Sequence, residues 1–150
     1  MPQSLSHVII HTVFSTKNRQ PFLKDPEIRN QTFAYVGATV NTLGCQSFMV
    51  GGYWDHLHIL STLSRSISQA EFVKEVKRSS SIWFKHEYGE PSFSWQKGYG
   101  IFSVSDSRVS DVKAYISNQE AHHGKVTFQD EFRRLLRAHN VPFDEKYVWD

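Results

Sequence analysis

The chain has 150 residues, 39% hydrophobic and 14% aromatic, with 17 Lys and Arg against 15 Asp and Glu. Eleven Phe, six Tyr and four Trp are too much apolar surface to leave in water, which excludes wholesale disorder, and a single cysteine, Cys45, excludes a disulfide scaffold. At a formal charge of +2, any nucleic-acid binding must rest on a local patch rather than on bulk charge. The length fits one domain over residues 1–150. No apolar run approaches about 18 residues, and Met1–Gln3 leads directly into a strand-like segment, so no secretory leader is expected. The expected setting is therefore reducing and cytoplasmic.

Ser6–Ser15 reads as a strand that is apolar on both faces, as a central strand is. Asp25-Pro26 has the form of an N-cap followed by proline at the first helical position. Ile28, Phe33, Val36, Val40 and Leu43 give the stripe of that helix, and Gly44 stops it. Cys45–Tyr53 and His56–Leu63 read as strands joined by a turn at Trp54-Asp55. Ser68 caps a second helix with Phe72, Val73, Val76 and Trp83 on one side, and Tyr88-Gly89-Glu90-Pro91 ends it. A fourth strand is predicted over Phe93–Val104. A third helix runs from Asp106 or Ser107 to about His123, and a fourth, capped by Thr127, ends near Asn140. The order β-α-β-β-α-β predicts an α+β, ferredoxin-like (RRM-like) fold. Its four-stranded antiparallel sheet carries helices on one face, with an additional tyrosine-bearing helix towards the C-terminal end.

On a strand, residues two apart share a face, so His56 and His58 point the same way. Spacing alone leaves two readings open: half of a metal site, or a pair of hydrogen-bonded, half-buried histidines. Tyr115 and Gln119, four apart, share one face of the third helix. A phenol beside two imidazoles and an amide oxygen would make a nucleophile next to a three-ligand ion. At a free pKa of about 10, that phenol needs a neighbouring cation or base to attack at neutral pH. His122 and His123 read as solvated residues at a helix end, with a ligand or proton-shuttle role as the other reading.

Several segments in order carry a family resemblance. They are His7–Lys17 followed by Arg19 and Pro21, then His56-Leu57-His58, then Val76–Ser81. Trp95–Val104, Tyr115–His123, and a tail with Phe132, Leu135, Leu136 and Tyr147–Asp150 complete the set. Together they resemble the HUH transposases with a single catalytic tyrosine. More narrowly, they resemble the small transposase-like proteins of insertion sequences and of repeated extragenic palindromes. The resemblance implies an enzyme that nicks and rejoins single-stranded DNA at hairpin-flanked sites, without a nucleotide cofactor. Tyr115 would form a 5′-phosphotyrosine, and His56, His58 and Gln119 would hold Mg²⁺ or Mn²⁺. A homodimer and a DNA hairpin with single-stranded flanks are the implied partners, with no membrane. For the DNA surface, the expected residues are Lys17, Arg19, Lys74, Lys77, Arg78, Ser79, Trp95 and Lys97, with Trp54 and Tyr99 as further stacking candidates. The alternatives are a non-cleaving single-stranded nucleic-acid-binding module on the same fold and a Zn²⁺ hydrolase built on the two histidines.

Overall fold

A computed structural model describes residues 2–150; Met1, where the leader reading began, lies outside the described residues. Four strands, β1 (Ile9–Ser15), β2 (Ser47–Tyr53), β3 (His56–Thr62) and β4 (Gly100–Val104), form one sheet in the order β2-β3-β1-β4, and every neighbouring pair is antiparallel. With its two β-α-β crossovers, this is the ferredoxin-like α+β arrangement. All seven residues of β1 are buried, as befits a strand paired on both edges.

Helix α1 (Pro26–Thr42) starts where Asp25 Oδ1 accepts from the backbone N–H of Glu27 at 2.8 Å, and α2 (Gln69–Tyr88) starts where Ser68 Oγ accepts from Glu71 N at 3.1 Å. Gly89, in the left-handed region at φ 58°, ends α2. Both helices cover one face of the sheet and pack on Ile10, Phe14, Leu57 and Ile59.

The opposite face is covered as well. Helices α3 (Val109–Ser117), α4 (Gln119–His123) and α5 (Phe128–Ala138) lie against the alternate residues of the same strands. Ile116 packs on Ile9 and Leu60, while Phe128, Phe132 and Leu136 pack on Val13 and Phe102. Each such buried side chain is worth about 1.5–3 kcal/mol. The protein therefore has three layers, and His56 and His58 face the second interior.

Two expected elements differ. The strand predicted over Phe93–Val104 is a strand only from Gly100. Before it, Trp95 makes a single bridge to Thr16, and the carbonyls of Gln96, Lys97 and Gly98 all accept from Lys77 Nζ at 2.7–3.1 Å. Carbonyls engaged by one ammonium do not extend a ladder. The single third helix is two helices, because Asn118 (φ −96°, ψ 15°) breaks it between Tyr115 and Gln119.

Candidate active site

The site begins on β3. His56 and His58 are fully buried, and each ring has its Nδ1 engaged. His56 Nδ1 lies 2.8 Å from Asp55 Oδ1, to which it donates. His58 Nδ1 lies 2.7 Å from His11 Nε2. His11 is a diagonal neighbour across β1, itself buried and stacked on His58 with ring centroids 5.0 Å apart. With both Nδ1 atoms held, both Nε2 atoms turn to one point under the covering helices.

Two of those helices bring the other expected groups. Helix α3 comes close enough to β2 because Gly51, opposite His58, has no side chain; a Cβ there would lie 2.6 Å from Ile116 Cγ2. Helix α4 is tied to the α1 end by an ion pair between buried Arg29 and Glu120. Despite the break at Asn118, Gln119 is buried and its Oε1 lies 2.9 Å from His56 Nε2 and 3.1 Å from His58 Nε2. The Tyr115 ring stands edge-on to His11 and His58. The four residues expected to act together meet within one chain.

At the centre lies a residue that the sequence reading missed. Glu131, on α5, is 1% exposed. Its Oε1 lies 3.2 Å from His58 Nε2, 3.3 Å from His56 Nε2 and 3.0 Å from His123 Nε2. Its Oε2 accepts from Gln119 Nε2 at 2.9 Å and from the Tyr115 hydroxyl. The signal in the sequence was position: Glu131 falls on the helical stripe of Phe128, Phe132 and Leu135, where a carboxylate must be buried. His123, read as solvated, is instead packed inside, with Nδ1 2.6 Å from the Val126 carbonyl; His122 is partly exposed, 3.5 Å from Glu131.

The electrostatics follow from this packing. Burial works against a charge on Glu131, but hydrogen bonds from His123, His56 and His58 prevail and hold its carboxyl well below the usual carboxylate range. Burial likewise opposes a charge on His56, yet the bonds to Asp55 and Glu131 outweigh it and raise His56 to about 9. His58 is lowered by burial. His11 is lowered to about 3, first by burial and then by its proximity to His58, so it stays neutral. Burial and then the Glu131 charge push the Tyr115 phenol up.

The donor set fits a divalent cation. His56 Nε2 and His58 Nε2 both point at acceptor oxygens of Gln119 and Glu131, so N–H protons converge where a cation would take their place. The nitrogen–oxygen separations of 2.9–3.3 Å match the spacing of about 3 Å between neighbouring ligands whose bonds to one ion are about 2.1 Å. Beside Tyr115, a cleft of about 490 Å³ opens, lined by His11, Phe102, Val112 and His139 among others.

The expected DNA-contact residues do not form one patch. Lys17 and Lys97 are exposed and line one cleft of about 340 Å³ with Trp149. Arg19 is partly buried, and its guanidinium donates to the Trp149 carbonyl at 3.0 Å. Lys74 and Arg78 are exposed on α2, the layer on the far side of the sheet from the histidines, and Arg78 pairs with Glu75 at 2.8 Å. Lys77 is spent on three loop carbonyls, and Ser79 bonds the Tyr35 hydroxyl at 2.9 Å. Trp95 is a core residue: its ring stands against Phe14 and Phe93, and its indole N–H donates to Ser80 Oγ at 2.9 Å, so it offers no face to a base. Trp54 remains at the surface, stacked on Tyr53, which stacks in turn on His123.

The geometry can be set beside known proteins. No curated protein matches the sequence. The fold resembles a protein from Deinococcus radiodurans R1 described as a transposase, at 20% identity and a TM-score of 0.64, over 79% of this chain and 98% of that one. It also resembles a REP-associated tyrosine transposase bound to a REP hairpin, at 16% identity and a TM-score of 0.55, over 96% and 93% of the two chains. Among the described residues, no helix is long and apolar enough to cross a membrane. A family profile described as "Transposase IS200 like" matches residues 4–119, through both histidines, Tyr115 and Gln119, and the chain belongs to that transposase family.

Proposed function

We propose that this transposase nicks and rejoins single-stranded DNA beside a hairpin, with Tyr115 as nucleophile and a 5′-phosphotyrosine as the intermediate. The observation that carries this reading is the convergence of the Tyr115 phenol, the His56 and His58 imidazoles and the Gln119 amide beneath one layer of helices. Tyr115 Oη attacks phosphorus, the bond to the 3′ oxygen breaks, and a 3′-hydroxyl is released. Glu131 Oε2 accepts the hydrogen bond of the Tyr115 hydroxyl and positions it, and the proton the phenol gives up is matched by the one the leaving 3′ oxygen takes on. Rejoining runs the same bonds in reverse, so the covalent phosphotyrosine conserves the energy and no nucleotide cofactor is required.

His56, His58 and Gln119 would hold the divalent ion, Mg²⁺ or Mn²⁺, which when bound offsets charge on the scissile phosphate. Asp55 and His11 keep the two imidazoles aimed. Lys17 and Lys97 are the exposed cations proposed to meet phosphates, and Trp54 is the exposed ring proposed to stack on an unpaired base. The hairpin held by the REP-associated neighbour supports the choice of substrate. The closeness of these groups within one chain supports action of the tyrosine in cis, with a homodimer joining two such sites. The setting we propose is the cytoplasm.

The test is a labelled hairpin oligonucleotide with single-stranded flanks, incubated with MnCl₂ and run on a denaturing gel. The native protein is expected to give a covalent protein–DNA band, and Tyr115→Phe to bind the hairpin without forming it. A shifted but uncut oligonucleotide would favour a binding module, and cleavage without an adduct a hydrolase.

A further inference from the structure

Glu131 lies outside the segment matched to the family, residues 4–119, and on a helix of its own. Its carboxylate is buried and without a lysine or arginine bridge among the described residues; the side chains around it are four histidines, all within 3.5 Å. A buried negative charge needs a positive partner. The partners within reach are imidazoles, and two of them are the rings whose lone pairs the proposed ion requires. A cation bound by those rings displaces their protons and leaves Glu131 facing it. The carboxylate has the reach, because Oε1 lies within 3.3 Å of both Nε2 atoms, on the side where Gln119 Oε1 also sits. Its other oxygen, Oε2, receives the Tyr115 hydroxyl.

We infer that Glu131 is a ligand of the divalent ion alongside His56, His58 and Gln119, and that the same carboxylate holds the nucleophile through its second oxygen. The inference rests on the metal-dependent reading above and deepens it. It gives the site one anionic oxygen ligand, which suits a hard cation better than two imidazoles and an amide alone. It also ties α5 to the chemistry: the helix that closes the second layer carries the group that joins ion to nucleophile.

Isothermal titration with MnCl₂ tests it without DNA and without turnover. Glu131→Gln, which keeps the shape and removes the charge, is expected to lower Mn²⁺ affinity by about tenfold or more, with Glu131→Asp retaining more of it. Native affinity in Glu131→Gln overturns the inference while leaving the metal reading intact; no Mn²⁺ binding by the native protein overturns both. Crystals of the native protein soaked in MnCl₂ give a check that does not depend on a variant's folding. The anomalous peak is expected against Glu131 Oε1 as well as both Nε2 atoms, and a peak held only by His56, His58 and Gln119 overturns the inference.

Discussion

His58 owes its orientation to a neighbour with no charge to offer. His11 stays neutral and buried, and its Nε2 sits 2.7 Å from His58 Nδ1, whereas His56 is oriented by the carboxylate of Asp55. Replacing His11 by Phe keeps a ring in the core and removes the nitrogen. Mn²⁺ affinity, read by titration calorimetry, is expected to fall about tenfold, with hairpin binding retained; unchanged Mn²⁺ affinity would show that His11 only fills space. At this scale the sequence made four groups legible. The two-residue period of a strand puts His56 and His58 on one face, and the family resemblance singles out Tyr115 and Gln119. Glu131 escaped because it sits in a charged stretch, Asp130 to Arg134, where carboxylates are normally solvated. His11 escaped because β1 is apolar on both faces and a lone histidine there reads as core. Trp95 was misplaced because an aromatic ring in a strand-like run looks the same whether it faces water or Phe14.

Elements carry the site through close approach. The α3 helix reaches Tyr115 into position because β2 presents a bare backbone at Gly51, and α5 lies similarly against Gly100, where a Cβ would meet Phe132 at 2.7 Å. Gly51→Ala pushes a methyl into Ile116, whose branched side chain has little freedom to yield. The expected cost is about 1–3 kcal/mol of stability, together with slower formation of the covalent adduct, since α3 must shift. Thermal unfolding and a gel time course measure the two; native stability and rate together would mean that the approach of α3 is not tight. The caps at Asp25, Ser68 and Thr127 are readable because each side-chain oxygen accepts from backbone N–H groups in the first turn of its helix. The break at Asn118 and the late start of β4 were not, because tertiary contacts decide both. Lys77 draws three carbonyls away from the sheet, and α4 is held by Arg29 from another element.

The whole molecule is a sheet between two helical layers, and the site lies in the second interior rather than on an open face. The sequence made the first layer legible and left the second face open to a ligand or a covering helix, because the apolar residues of α5 are interleaved with charge. Since His56, His58, Tyr115, Gln119 and Glu131 meet within one chain, two defective copies should not repair each other. Mixing Tyr115→Phe with His56→Ala is expected to yield no covalent adduct above that of either variant alone; recovery on mixing would show that tyrosine and histidines work across two chains.

The proposed reaction turns on capture of a DNA phosphate by the Tyr115 hydroxyl. Mass spectrometry of the protease-digested adduct, formed on a hairpin oligonucleotide with MnCl₂, reads that bond directly. A single modified peptide is expected, with the phosphodiester on Tyr115 joined to the 5′ end of the strand downstream of the nick. A nucleotide attached to any other residue, or a nicked oligonucleotide with every peptide unmodified, would contradict it.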